Sequence, residues 1–290
     1  MQLLRFIILN ILWISITYNC SNEQVDSNNN NTPDAIDPTK AYQELNISYG
    51  SDTDQTFDLY LPANRTSDTK TLLLVHGGGW TSGDKSSMNY LKDLIKTEIP
   101  EIAIANINYR LADDSNPPFP MQIDDITSII DYLKTNKSKY TISEKTGFIG
   151  SSAGGHLSLL WSYAFDTDSN VNMVCSIVGP TNFTDPHYLN NTDPNLQEII
   201  DIYGENPSTA FLEMLSPYHR VTASAPSTIL FYGGLDPLVP SSQGTAMRDK
   251  LVALNVHHEF TLYPNEAHGW TGANLLDTWS KLKIFIINNL

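Results

Sequence analysis

"GFIGSSAGGHL", residues 147–157, sets Ser152 between Gly150 and Gly154 at the end of an apolar run. The Gly150-x-Ser152-x-Gly154 spacing is what a sharp strand-to-helix elbow requires. The central residue of such an elbow sits in strained backbone, and side chains two positions to either side would collide. The residues before it, "KTGFIGS", read as a buried strand, and "AGGHLSLLWSYAF" reads as the helix leaving the turn. A serine raised on that turn is a candidate nucleophile if the rest of the chain supplies the context.

Working outward, strands and helices alternate from about residue 41. "LNISYG" and "QTFDLYLP" predict an opening hairpin, "KTLLLVHGG" and "EIAIANINYRL" predict strands, and residues 86–98 read as a helix between them. A longer helix follows in "PPFPMQIDDITSIIDYLKTN". Beyond the elbow come the strands "NMVCSIVG", "STILFYGG" and "HHEFTLYP", with helices at about 240–255 and from about 273. Alternation of this kind predicts an α/β fold with a mostly parallel central sheet, covered by helices on both faces. Ligands then bind at the carboxyl ends of the strands, where Ser152 lies. A small insert follows the sixth strand. Its segments "NLQEIIDIYG" and "STAFLEMLSPYH" are amphipathic, and both are expected to pack over the mouth of the site.

A serine hydroxyl needs a base, and the base needs an orienting acid. In an elbow-serine fold the acid and then the histidine follow the serine in chain order. His268, in "YPNEAHGW", is on a loop after the last strand, whereas His76 precedes the serine and His156 is one helical turn beyond it. His187 and His219 belong to the insert, and His257 and His258 are expected in a strand, one buried and one exposed. For the acid, Asp236 follows a strand end through a Gly-Gly turn and is held by an Asp-Pro step. Asp185 after the preceding strand is its rival, and Glu266 is too near His268 in sequence to reach behind the ring. In "HGGGW", residues 76–80, consecutive glycines let main-chain N–H groups approach a developing oxyanion. Arg110 is expected to pair with Asp124.

Five blocks in order, "HGGGWTSGDK", "YRLADD…FPMQIDD", "GSSAGGHLSLL", "DPLVP" and "YPNEAHGW", resemble the α/β-hydrolase superfamily. Within it they are similar to the small esterases related to hormone-sensitive lipase and to the BD-FAE group, over about residues 41–290. The resemblance implies Ser152 as nucleophile, Asp236 and His268 as its partners, and Gly77, Gly78 and Ala153 as oxyanion donors. The chain departs from the family at "YRLADD", where a proline of the related block is missing. The short N-terminal segment also leaves no room for a large helical cap.

The first 19 residues carry one positive charge, Arg5, ahead of an apolar run too short for a stable span, and read as a signal peptide. Residues 20–40 read as a polar tether, and residues 41–290 as the catalytic domain. Cys20 at the junction is a candidate lipidation site, with ordinary secretion as the alternative. Either way the protein is expected to be exported, as a cell-envelope lipoprotein or secreted, and to touch a membrane only through a lipid on Cys20. The second cysteine, Cys175, is expected to be a small core residue.

The 290 residues include 17 Lys+Arg against 32 Asp+Glu, a formal net charge of −15, which leaves no electrostatic footprint for nucleic acid. No phosphate loop, dinucleotide fingerprint or zinc spacing is present, so no cofactor or metal is expected. The expected activity is hydrolysis of short-acyl carboxylic esters, small molecules or carbohydrates, through an acyl-enzyme. An amidase or formamidase with the same triad is one alternative, and a non-catalytic ligand-binding member of the fold is another.

Overall fold

Thr71–Val75 reads "TLLLV", and an unbroken apolar run of this length makes a strand covered on both faces. The computed structural model, which describes residues 35–190, 192–204 and 206–290, places it at the centre of an eight-stranded sheet. The expected signal peptide, Cys20 and most of the expected tether lie outside the described residues. In chain order the strands are β1 (Tyr42–Ser48), β2 (Thr56–Leu61), β3 (Thr71–Val75), β4 (Ala103–Ile107), β5 (Thr146–Ser151), β6 (Val171–Ile177), β7 (Ser227–Gly233) and β8 (His258–Tyr263). They lie in the order β1-β2-β4-β3-β5-β6-β7-β8. The β1–β2 and β2–β4 pairs are antiparallel, as the opening hairpin demands, and every pair from β4 to β8 is parallel.

The pleat sorts side chains between two cores. Leu73 and Val75 join the larger one with α2 (Pro118–Thr135), α4 (Ala153–Ala164) and α9 (Ser241–Ala253), while Leu72 and Leu74 face α1 (Asn89–Glu98) and α10 (Gly272–Asn289). The remaining helices are short: α3 (Lys137–Tyr140), α5 (Pro186–Leu189), α6 (Pro194–Asp201), α7 (Thr209–Leu215) and α8 (Pro217–Arg220), the last four forming the insert between β6 and β7. Cys175 is fully buried in β6, and burial pushes its thiol well above the usual range. His258 opens β8 half-buried, whereas His257 is exposed just before it.

Residues 36–40, expected in the tether, are held against the domain by Arg65. Its buried guanidinium donates to the carbonyls of Ile36, Lys40, Pro62 and Tyr140.

Arg110 pairs with Asp125, not with the expected Asp124. Arg110 Nη2 lies 2.5 Å from Asp125 Oδ1, Arg110 N donates to Oδ2 at 2.8 Å, and Gln55 Nε2 donates to Oδ1 at 2.8 Å. The reason is helical phase. Gln122, Ile123, Asp125, Ile126 and Ile129 form the buried face of α2, which turns Asp124 to solvent. Asp125→Asn is therefore expected to cost up to about 3 kcal/mol, because it leaves the cation without its carboxylate, while Asp124→Asn stays within about 0.5 kcal/mol. Urea midpoints of the two variants measure the difference.

Candidate active site

The turn between β5 and α4 is the expected elbow. Ser152 has φ 52° and ψ −121°, a conformation costly for a residue with a Cβ. Both flanking glycines are sterically required. A Cβ on Gly150 would lie 2.2 Å from the Gly154 carbonyl oxygen, and one on Gly154 would lie 2.2 Å from that of Val75. The turn is locked by Ser152 N donating to Ile177 O on the neighbouring strand at 2.8 Å.

Three separate strand ends meet at this serine. His268, after β8, has Nε2 2.9 Å from Ser152 Oγ and Nδ1 2.7 Å from Asp236 Oδ2. The Asp236 side chain is fully buried, and its other oxygen accepts the N–H groups of Leu238 and Val239, both at 2.9 Å. An ionised carboxylate only accepts, so Nδ1 of the ring carries the proton, and Nε2 is left to accept from the serine hydroxyl. The rival acid is committed elsewhere. Asp185 caps α5 through His187 N and accepts from Ser242 Oγ and Gln243 Nε2 at 2.7 and 2.9 Å. Glu266 is tied to α10 by Asn274 Nδ2.

Gly77 packs directly on the elbow: a Cβ there would meet Ser152 Cβ at 3.1 Å. Gly78 has φ 125° and its carbonyl accepts from Ser82 N and Ser82 Oγ at 3.0 and 2.8 Å, so the peptide is held in a turn that sequence reading did not find. Ala153 is the first residue of α4. Among the described residues the N–H groups of Gly78 and Ala153 have no backbone acceptor. His76 stacks on Tyr109 with ring centroids 4.3 Å apart and sets Nδ1 against Gly77 O, which fixes the loop from the other side. Burial lowers its pKa.

These groups open onto a cleft of about 760 Å³. Thr81, Asp113, Asp114 and Pro117 line one side, Leu238 and Val239 another, and α6 with the residues after it supplies Glu198, Ile199, Asp201, Ile202 and Tyr203. The expectation for the insert holds in part for α6, whose Ile199 lines the cleft while Leu196 and Ile200 join the main core, and fails for α7. Leu212 and Leu215 of α7 are buried in the main core, and Phe211 meets Phe119 edge-on at 6.1 Å. The carboxylates of Asp113 and Asp114 fall where the sequence departs from the related block, and that departure was the only signal for them.

The BD-FAE family model matches residues 57–251, two thirds of the chain. The protein belongs to the BD-FAE family. The match runs from β2 into α9 and so takes in the elbow, the glycines of residues 77–79 and Asp236. Esterase LipC of Mycobacterium tuberculosis is 26% identical over 250 residues, covering 80% of this chain. Carboxylesterase NlhH of the same species is 22% identical over 260 residues, 84% of this chain. The chain spans 60% of the length of LipC and 80% of that of NlhH. Among solved structures, a truncated carbohydrate esterase from gut microbiota superposes with a TM-score of 0.68 at 21% identity, over 86% of this chain and 99% of that one. The Thermogutta terrifontis esterase Est2 with propionate bound gives 0.68 at 18% identity, over 86% and 94%. These likenesses fix the BD-FAE chain as an α/β-hydrolase fold, in agreement with its sheet order.

Proposed function

We propose that this protein is a serine hydrolase that cleaves short-acyl carboxylic esters through an acyl-enzyme. The observation that carries the reading is the continuous hydrogen-bonded chain from Ser152 Oγ through His268 to Asp236, opening onto the cleft. As Ser152 Oγ attacks the ester carbonyl, its proton passes to His268 Nε2, and Asp236 holds the resulting imidazolium. The oxyanion is met by N–H groups of Gly77, Gly78 and Ala153. His268 then protonates the departing alkoxide. A water, deprotonated by the same ring, attacks the acyl-serine and releases the acid. Relatives and neighbours named as esterases support the reading, and the carbohydrate esterase among them supports sugar esters as substrates. Export rests on residues 1–20 alone.

The cleft also supports a substrate class. Ile199, Ile202, Leu238 and Val239 form a small apolar surface in it. Asp113, Asp114, Glu198 and Asp201 are the carboxylates lining it among the described residues. Turnover is therefore expected to be highest on acetyl to butyryl esters and to fall beyond about six carbons through steric exclusion. An uncharged alcohol group should be preferred over a matched anionic one by about tenfold at low ionic strength, and the preference should fade with added salt. A kcat/KM series of acetyl to palmitoyl esters, with neutral and carboxylate-bearing aryl acetates, tests both. Rates rising to palmitoyl would overturn the acyl assignment, faster cleavage of anilides would make the protein an amidase, and no turnover of either would leave a binding protein.

A further inference from the structure

Trp80, directly after the three glycines of the oxyanion loop, is held in the left-handed region with φ 65° although it carries a large side chain. Such a conformation persists only where the surroundings over-determine it. Here the Trp80 carbonyl accepts from Ala112 N at 2.9 Å and Gln122 Nε2 at 2.7 Å, and its indole Nε1–H donates to His156 Nδ1 at 3.1 Å. The same imidazole sets Nε2 2.9 Å from the carbonyl of Leu215, the last residue of α7. His156 is on α4, one turn beyond Ser152, and is almost fully buried, with its ring against Trp80 and Phe183.

Only one form of the ring satisfies both bonds. The indole only donates and the carbonyl only accepts, so Nδ1 is bare and Nε2 carries the proton. Burial keeps the ring neutral, lowering its pKa to about 4. Three pieces of chain converge on it: the oxyanion loop, the helix that follows Ser152, and the insert.

We infer that His156 is a positioning residue: acting through the Trp80 indole, it holds the Gly77–Gly78 peptide in register with Ser152 and ties that register to the seating of the insert. It touches no substrate. The inference rests on the ester-hydrolase reading for its effect on rate and on the structure alone for the bond to Trp80. A loop placed about 1 Å out of register loses roughly a hundredfold in rate, without a matching loss of ground-state binding.

Two replacements separate the two bonds. His156→Asn offers an amide oxygen near the place of Nδ1 and keeps an acceptor for the indole. His156→Gln offers an amide nitrogen near the place of Nε2, which keeps the Leu215 bond and strands the indole. For an acetyl ester, His156→Gln and Trp80→Phe are each expected to lower kcat by about ten- to a hundredfold with KM changed less than about twofold. His156→Asn should stay within about threefold of the parent, and the His156→Gln/Trp80→Phe pair should be no worse than either single change. Hydrogen exchange of the Trp80 indole N–H, followed by nitrogen-15 NMR, should be slow in the parent and His156→Asn and faster in His156→Gln. Equal kcat in folded His156→Gln and parent, or additive losses in the pair, would overturn the inference. If the parent cleaves no ester, the functional reading fails, and an unchanged indole exchange rate in His156→Gln would sink the positional claim separately.

Discussion

Ser152→Ala is expected to fold like the parent and to lose about a million-fold in kcat on p-nitrophenyl acetate. The alanine keeps the Cβ that the elbow already accommodates, so the backbone at φ 52° is no more strained than before. What is lost is the oxygen at 2.9 Å from His268 Nε2. The imidazole is one-quarter exposed, so water can take up that acceptor and stability should change little. The remaining rate would come from the oxyanion donors and binding alone. A folded variant that kept even a few per cent of the parent rate would place the nucleophile elsewhere.

Asp236→Asn is expected to cost on the order of ten-thousand-fold in kcat. The carboxylate now accepts from His268 Nδ1 through one oxygen and from two backbone N–H groups through the other. If the amide oxygen stays with Leu238 and Val239, the NH₂ faces the ring and the favoured tautomer reverses. The proton then lies on Nε2, where the serine needs an acceptor. Asp185→Asn is the matched control. It disturbs the bonds to Ser242 and Gln243 that join the insert to α9, so it should lower the urea midpoint and leave kcat within about tenfold. Reversal of the two results would move the orienting acid to the loop after β6.

The parts of the site that were legible in the sequence are those whose position follows from backbone necessity. Gly150 and Gly154 are unavoidable where the elbow brings main chain within 2.2 Å of a Cβ, so the pattern marks the turn wherever it lies. Asp236 and His268 follow strands whose apolar runs are easily read, and chain order assigns them. The parts that were misread depend on choices that neighbouring residues share equally. Asp124 and Asp125 differ by one step of helical phase, and Phe119, non-helical at φ −112° and ψ 133°, delays the start of the regular helix. Amphipathicity showed that α6 and α7 each bury a face, but it does not name the partner: both faces joined the main core, and of the two helices only α6 also lines the cleft. The acidic lining joins Asp113 and Asp114 to Glu198 and Asp201 across more than 80 residues, a juxtaposition that only the folded sheet creates. The link from Trp80 to His156 is of the same kind. Two ordinary aromatic residues acquire a role because β3 and β5 are adjacent.

The central claim is that Ser152 is an activated nucleophile. It is tested most directly by treating the purified protein with a fluorophosphonate and mapping the adduct by peptide mass spectrometry. A single phosphonyl group on Ser152 is the predicted result, formed in the parent, absent after Ser152→Ala and greatly slowed by His268→Ala. No adduct on the folded parent, or an adduct carried by another residue such as Ser151 or Ser158, would contradict the account.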